Sequence, residues 1–497
     1  MFTNVLEYLE ANRTLDKPAF IDELHAISYP ELYEKARAIG TALARLHVRN
    51  QPFGVVIRRN IESLVLFLGV VYSGNFYVPL DNEMPRGRMD VMLSALSPAA
   101  VLGLEEDLSA FSACRTLSYE ALAATEIDDG LLSDLRQEHL DIDPLYAIFT
   151  SGSTGVPKTV LISHRGVLDL AEQFSTCFDF SGNDRFGNQA PFDFDVSVKD
   201  IYLTLKHGAT LTVIPKKLFS MPAALVDFLN QQEINVIIWA VSALRIVAQL
   251  KTFRSNRPQF LKTIMFSGEV MPPKVLNYWR DALPDACYVN LYGPTEITCN
   301  CTFYKVQRDF RDDEAIPIGR PFPNTRICLL DETGKEAAPG EVGEICVSGA
   351  GVALGYYKDP ERTNQVFTAD PLCPAYSRRL YHTGDLGRYN ERGELMFLSR
   401  RDHQIKHMGH RIELGEIEAA VNSLPFIHAC CCLYDRNRDR IVLCYQAGTA
   451  CDKDIIAGLA QRLPKYMRPN RYCFMEALPM TSHGKLDRKR LAEEVLS

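Results

Sequence analysis

The sequence predicts an α/β fold: a large N-terminal domain of α/β sheets with a small β subdomain, followed by a small α+β C-terminal domain. Short apolar runs alternate with amphipathic helical patterns up to about residue 292, which favours parallel sheets. Residues 316–397 change to short strand patterns between Gly and Pro turns. Residues 402–497 have the length of an independent domain. We therefore predict two domains, 1–401 and 402–497.

Strand and helix candidates alternate along the first part of the chain. A helix, a hairpin and a second helix come first, and Pro30 with Glu31 opens the second helix. Asn60 precedes an apolar helical pattern that extends to about Ser73, so it is expected to cap this helix. The strand candidates are residues 18–22, 25–29, 53–57 and 76–80.

The alternation continues beyond residue 160. The helix candidates are residues 165–178, 223–232 and 273–282, and the strand candidates are residues 209–214, 236–240, 263–266 and 287–292. Strands separated by such helices pair in parallel, and ligands bind beyond their carboxyl ends. Loops 151–158, 267–269 and 292–296 fall at such ends. We expect these three loops to line one crevice.

The loop after residues 145–150 suits a nucleotide triphosphate. The apolar run 145–150 predicts a buried strand, and the sequence SGSTG follows it directly. Gly152 and Gly155 allow the backbone to approach an anion, while neighbouring hydroxyls and Lys158 add donors and positive charge. No Lys follows the second Gly directly, which argues against a Walker P-loop. A flexible Ser/Gly surface turn is the alternative.

Composition argues against several classes of protein. The formal charge is −8 with both signs interspersed, so a nucleic-acid binder is not expected. No signal-peptide pattern is present at the start, and no run approaches the roughly 20 apolar residues of a membrane span. The 14 cysteines then indicate reduced thiols in the cytoplasm. Adjacent residues of a strand alternate faces, so Cys430, Cys431 and Cys432 do not predict a zinc site.

A series of motifs runs in register along nearly the whole chain. They are ISYPEL (27–32), YVPLD (77–81), FTSGSTGVPK (149–158), FDVS (194–197), NLYGPTE (290–296), GEICVSGAGVALGY (343–356), YHTGDL (381–386), SRRDHQIKHMGHRIELGEIE (399–418), LPKYMRP (463–469) and HGKLDR (483–488). Together they resemble the adenylate-forming superfamily of acyl-CoA synthetases, amino-acid adenylation domains of nonribosomal peptide assembly, D-alanine to carrier-protein ligases and insect luciferases. The stand-alone D-alanine ligases look most similar.

The resemblance implies activation of a carboxylic acid with ATP and Mg²⁺, which releases pyrophosphate and leaves an acyl-AMP. In-line attack on the α-phosphorus requires charge neutralisation and positioning. Lys485 and Glu296 are implied as catalytic residues, with Glu296 also a Mg²⁺ ligand. Tyr292 would pack on adenine and Asp385 would accept hydrogen bonds from the ribose, although Asp385 could also be a simple turn former. The implied nucleotide-binding residues are Thr150, Ser151, Gly152, Ser153, Thr154, Gly155, Lys158, Tyr292, Thr295, Asp385 and Arg400.

The resemblance also implies that the small C-terminal domain is mobile and rotates between two half-reactions. Asp402 matches the hinge position, and Gly409 matches the loop that lines the thiol entrance. Lys485 would face the nucleotide in the first half-reaction, and Gly409 would replace it in the second.

The FDVS motif indicates an amino-acid substrate. Asp195 matches the carboxylate that pairs with the α-ammonium in amino-acid-activating members; capping of the following helix is the alternative. Lys199 stands where a neutral side chain is usual, and Ser267 where D-alanine ligases usually carry Cys. Pointing inward, Lys199 would meet a second carboxylate or another polar acceptor; pointing outward, it would leave room for alanine or serine. The implied substrate-binding residues are Asp195, Val196, Lys199, Ala240, Met265, Ser267, Gly268, Leu291, Cys299 and Asn300.

The acceptor thiol is expected to come from another molecule, because the sequence has no Gly-Gly-x-Ser-type phosphopantetheine attachment motif. A separate carrier protein is the first expectation, and coenzyme A is the second. The carrier would dock on basic residues 407–411 and 465–471; the alternative is that these residues are an ordinary solvated surface. Two other functions stay open: an acyl-CoA ligase for a non-amino carboxylic acid, and a non-catalytic binding module. We expect a monomer.

Overall fold

The computed structural model describes residues 2–151, 157–254, 256–401, 404–479 and 486–496. It divides into two compact units. The first comprises Met1–Asn82, Ser97–Ile148 and Thr159–Arg401, and the second comprises Glu83–Leu96, Phe149–Lys158 and Asp402–Ser497. The position Asp402, expected as the hinge, lies outside the described residues, so the hinge stays a prediction.

Nine of the described strands of the first unit form a mixed sheet. Their spatial order is Arg320–Pro321, Thr302–Lys305, Cys287–Tyr292, Thr263–Ser267, Val236–Ala240, Arg185–Asn188, Thr210–Val213, Pro18–Ile21 and Ala26–Ser28. The central strands pair in parallel, as predicted. Thr263–Ser267 and Cys287–Tyr292 are neighbours, so the loops that follow them leave the same edge of the sheet.

A second sheet contains the strand that precedes the Ser/Gly loop. Its described strands lie in the order Gly355–Tyr356, Lys158–Ser163, Pro144–Thr150, Phe76–Asp81, Pro52–Ile57, Ala100–Gly103 and Thr116–Ser118. The loop after Pro144–Thr150 therefore follows a different sheet from the other two loops expected in the crevice. Since residues 152–156 lie outside the described part of the chain, their convergence stays a prediction.

The small β subdomain is confirmed. Four of its described strands lie in the order Thr325–Leu330, Gly343–Gly349, Arg379–Tyr389 and Phe367–Ala369, and Leu395–Arg400 pairs with Arg379–Tyr389. In this last pair Asp385 lies opposite Arg400.

The second unit contains two further sheets. Gln404–His407 and His410–Glu413 form a hairpin, while Ile427–Asp435, Arg440–Ala447 and Arg471–Phe474 form a three-stranded sheet. Cys430 and Cys432 pack into one apolar cluster and Cys431 into another, as the alternation of a strand predicts.

The helices include those predicted at residues 165–178, 223–232 and 273–282, together with others that were not predicted. They span Leu6–Asn12, Tyr29–Ala44, Ile61–Tyr72, Arg86–Leu96, Glu105–Leu108, Tyr119–Ala123, Asp129–Gln137, His164–Cys177, Val196–His207, Pro222–Gln231, Val241–Gln249, Pro273–Ala282, Pro360–Val366, Leu414–Asn422, Asp452–Ala460 and Arg488–Leu496. The Asn60 side chain caps Ile61–Tyr72 by accepting from the Ser63 N–H. Within the described ranges, no helix is long and apolar enough to cross a membrane.

Candidate active site

Tyr292, Asp385 and Arg400 form one buried hydrogen-bonded group. The Tyr292 hydroxyl donates to Asp385 Oδ2 at 2.5 Å, and Arg400 Nη1 donates to Asp385 Oδ1 at 2.5 Å. Burial, and then the Asp385 charge, raises the pKa of Tyr292 well above its usual value, so the hydroxyl keeps its proton. Each carboxylate oxygen can accept more than one hydrogen bond, so Asp385 retains acceptor capacity.

Glu296 follows Tyr292 in the turn Thr295–Ile297. Its carboxylate is fully buried, and the Tyr356 hydroxyl donates to Oε1 at 2.9 Å. Carboxylate oxygen is the ligand type that Mg²⁺ prefers, and Mg²⁺ on a nucleotide commonly uses only one or two protein carboxylates. The carboxylate oxygens of Glu296 therefore fit a magnesium ion as ligands. Thr295, expected in nucleotide binding, is half-buried in the same turn.

The residues that flank the Ser/Gly loop belong to the second unit. Thr150 Oγ1 is buried and has no hydrogen-bond partner among the residues that the structure describes. The Ser151 hydroxyl donates to the Arg411 carbonyl at 2.8 Å and accepts from the Glu413 N–H at 3.1 Å, and Lys158 Nζ lies 3.5 Å from Glu413. Gly152, Ser153, Thr154 and Gly155 lie outside the described residues, so their predicted phosphate contacts stay predictions.

Asp195 immediately precedes the helix Val196–His207 and is half-buried. Its side chain makes no capping hydrogen bond, so the alternative interpretation of Asp195 as a cap is wrong. It lies near the buried phenol of Tyr146, whose pKa is raised well above its usual value by burial and then by the charges of Asp195 and Cys299. The Tyr146 hydroxyl has no hydrogen-bond partner. Within the described ranges, Asp195 and Tyr146 thus present a carboxylate without an ion pair and a hydroxyl without a hydrogen-bond partner.

Lys199 points into the protein. Its side chain is 1% exposed, and Nζ donates to Asn300 Oδ1 at 2.6 Å. The alternative in which Lys199 snorkels outward is therefore wrong. Asn300 follows Cys299, whose thiol lies 3.7 Å from the same amide oxygen, and both residues are buried. Cys299 itself has a left-handed backbone with φ 74°, which sets this turn.

Ala240 and Ser267 end neighbouring parallel strands and lie side by side. Ser267 Oγ is buried, and no described residue forms a hydrogen bond with it. Gly268 has φ +95°, and a Cβ on it would meet no atom within 4 Å, so the backbone there borders open space. Two further predicted residues, Met265 and Leu291, are buried in the hydrophobic core, whereas Val196 is half-buried.

Three residues near these groups escaped the sequence analysis. Tyr146 could have been found, because strand alternation puts it on the same face as Thr150. Arg59 is half-buried and donates to the backbone carbonyls of residues 188, 189, 190 and 214; loss of hydration lowers its pKa to about 10. Burial raises the pKa of Asp200 to about 7, and Asn188 Nδ2 donates to its Oδ2. No sequence motif identifies Arg59 or Asp200.

Two further predicted positions belong to the C-terminal part of the chain. Gly409 has φ 82° and occupies the tight turn between Gln404–His407 and His410–Glu413. Lys485 lies outside the described residues, and its catalytic role stays a prediction.

Comparison with known proteins establishes the family. Residues 9–357 match the family described as AMP-binding enzyme, and residues 416–485 match the AMP-binding enzyme C-terminal domain. The D-alanine--D-alanyl carrier protein ligase of Bacillus licheniformis is 32% identical over 97% of this chain and 97% of its own length. Tyrocidine synthase 1 of Brevibacillus parabrevis is 31% identical over 97% of this chain, which spans only 44% of that protein.

Solved structures agree with this assignment. One is holo-PA1221, a nonribosomal peptide synthetase protein containing adenylation and PCP domains bound to a vinylsulfonamide inhibitor. Its TM-score is 0.86 and its sequence identity is 26%, and the match covers 99% of this chain and 84% of that chain. IdnL1 has a TM-score of 0.83 and a sequence identity of 27%, and the match covers 96% of this chain and 99% of IdnL1. The chain belongs to the family of AMP-binding enzymes, the ATP-dependent, AMP-forming ligases. This confirms the predicted superfamily and fold class.

Proposed function

We propose that the chain activates an amino acid as an aminoacyl-AMP, with release of pyrophosphate, and then transfers the aminoacyl group to the phosphopantetheine thiol of a separate carrier protein. The observation that carries the proposal is the state of Asp195. Its carboxylate is half-buried, and among the described residues it makes neither a capping hydrogen bond nor an ion pair. A carboxylate in such surroundings is costly unless a cation meets it. The α-ammonium of an amino acid supplies that cation.

The nucleotide would be held by the group around Asp385. Ribose hydroxyls would donate to the remaining acceptor positions of the Asp385 carboxylate, while Tyr292 and Arg400 hold that carboxylate in place. The Tyr292 ring would pack on adenine. Thr150, with its unpartnered buried hydroxyl, and the loop that follows it would donate to the phosphates.

The chemical step would be attack of the amino-acid carboxylate on the α-phosphorus of ATP, with pyrophosphate as the leaving group. Lys485 would neutralise the negative charge that moves between the carboxylate and the phosphate. Glu296 would hold Mg²⁺, which neutralises phosphate charge when bound. The residues of this chain thus position and neutralise, and none of them forms a covalent bond to the substrate.

The second half-reaction is supported by the relatives. A D-alanyl carrier protein ligase matches the chain over nearly its whole length, and holo-PA1221 contains a PCP domain. We infer a small domain of residues 402–497 that turns about Asp402 and brings Gly409 to the thiol entrance. The chain spans 44% of tyrocidine synthase 1 and 13% of tyrocidine synthase 2, so the activities of those longer proteins do not transfer as a whole.

Amino-acid-dependent ATP–pyrophosphate exchange tests the proposal. We expect exchange with at least one D- or L-amino acid, and a decrease of about 100-fold in Asp195→Asn, which keeps the shape of the side chain but removes its charge. Asp179→Asn, at an exposed position in the same unit, is the control and should exchange at the wild-type rate. Equal exchange with the matching acid that lacks the amino group would contradict the proposal and favour an acyl-CoA ligase.

A further inference from the structure

The ammonium group of Lys199 is buried with too few acceptors. A lysine ammonium has three N–H donors. In the described part of the chain only Asn300 Oδ1 accepts from Lys199, and no carboxylate lies within ion-pair distance. A buried charge that no carboxylate contacts directly is expensive, so this position favours an anionic partner.

The amide of Asn300 adds a further donor beside the Lys199 ammonium. Asn300 uses its amide oxygen for Lys199, which turns Nδ2 to the other side, and that Nδ2 is buried without a partner. Asp200, the next residue along the helix, makes no hydrogen bond or ion pair with the Lys199 ammonium in the described part of the chain, although the two charges interact through space. Burial raises the pKa of Asp200 to about 7, so its negative charge is reduced near neutral pH. The Lys199–Asn300 pair is therefore a donor-rich site that fits a carboxylate.

The spacing between Asp195 and Lys199 suits an amino acid with a charged side chain. Asp195 and Lys199 are four residues apart at the start of one helix, so their side chains leave the same face about 5–6 Å apart at Cβ. They do not form an ion pair with each other, although their charges are opposite. Tyr146 and Cys299 lie between Asp195 and the Lys199–Asn300 pair. The charges of Asp195 and Cys299 contribute to the raised pKa of Tyr146, and the Cys299 thiol contacts the Asn300 amide oxygen.

We propose that the activated amino acid carries a second carboxylate on its side chain, as aspartate and glutamate do, and that Lys199 and Asn300 bind this carboxylate. The inference rests on the proposed function. With the α-ammonium on Asp195 and the side-chain carboxylate on Lys199, each buried charge meets its opposite, and Asn300 Nδ2 gains an acceptor. With an alanine or serine side chain, no carboxylate contacts the Lys199 ammonium among the described residues.

The first test is pyrophosphate exchange by the unmodified protein with the D- and L-forms of aspartate, glutamate, asparagine, glutamine, alanine and serine. The kcat/KM of one acidic amino acid should exceed that of its amide by about 100-fold, because the amide leaves the Lys199 charge unpaired. Higher activity with alanine, serine or an amide would overturn this inference and leave the proposed function intact. Exchange with none of these six amino acids would overturn this inference, whereas the proposed function is contradicted only when no other amino acid supports exchange either.

The second test is Lys199→Met, which keeps the length of the side chain and removes its charge. Exchange with the acidic substrate should fall about 100-fold, while exchange with the matching amide should rise relative to it. Lys206→Met, on the same helix and paired with Glu172 at the surface, is the matched control and should keep the wild-type preference. An unchanged acid-to-amide ratio in a folded Lys199→Met protein, checked by its thermal unfolding, would overturn the inference.

Discussion

Tyr292→Phe should weaken ATP binding without altering the amino-acid site. The substitution removes one hydroxyl, which is buried and donates to Asp385 Oδ2 at 2.5 Å. A hydrogen bond to a charged acceptor contributes about 1.5–3 kcal/mol, and its loss leaves Arg400 to orient the carboxylate alone. If about half of that energy supports the nucleotide contact, about 0.8–1.5 kcal/mol is lost, and the KM for ATP should rise about four- to twelvefold.

Tyr288→Phe is the matched control for this experiment. Tyr288 lies on the same strand, is also buried, and its hydroxyl donates to the carbonyls of Trp279 and Leu283. Both variants should lose stability in urea unfolding, by about 1–2 kcal/mol, because each loses a buried hydrogen bond. Only Tyr292→Phe should change the KM for ATP in steady-state pyrophosphate exchange. An unchanged KM for ATP in Tyr292→Phe, or an equal rise in both variants, would refute the role assigned to Asp385.

Two other predictions concern stability and transfer. Burial raises the pKa of Asp200 to about 7, so the folded protein binds a proton that the unfolded chain has released, and this group makes the protein less stable as the pH rises from about 4 to 7. Urea unfolding of the wild type and of Asp200→Asn at pH 5 and pH 8 tests this. The stability of the wild type relative to Asp200→Asn should be lower at pH 8 than at pH 5. The same relative stability at both pH values would contradict the raised pKa of Asp200. Gly409→Ala strains a backbone with φ 82° and should slow loading of a phosphopantetheinylated carrier protein about tenfold while leaving pyrophosphate exchange unchanged. Gly393→Ala, at another turn with φ 69°, should affect neither rate, and equal effects of both variants would show that the loss is general strain.

Local structure was largely predictable from the sequence. Val236–Ala240 and Pro273–Ala282 have the predicted bounds, because an apolar run and a proline-initiated amphipathic pattern each specify their own element. Sheet membership was not predictable in the same way. The strand Pro144–Thr150 has the same apolar pattern as the strands of the nine-stranded sheet but lies in another sheet, since periodicity does not identify the partner of a strand.

The candidate site shows the same limit. Motifs identified Tyr292, Asp385 and Arg400, and the structure brings their side chains together. The direction of Lys199 could not be read from its helix, because its acceptor Asn300 is 101 residues away in the sequence. Tertiary packing decides whether such a lysine is buried, and no local pattern records it.

Detection of the enzyme-bound intermediate tests the central claim most directly. The protein would be mixed with ATP, Mg²⁺ and each candidate amino acid, quenched with acid after one turnover, and analysed by mass spectrometry. We predict an aminoacyl-AMP in amounts close to those of the enzyme, and its absence in Lys485→Ala. Release of pyrophosphate without an aminoacyl-AMP, or an aminoacyl-AMP formed at the wild-type rate by Lys485→Ala, would contradict the account.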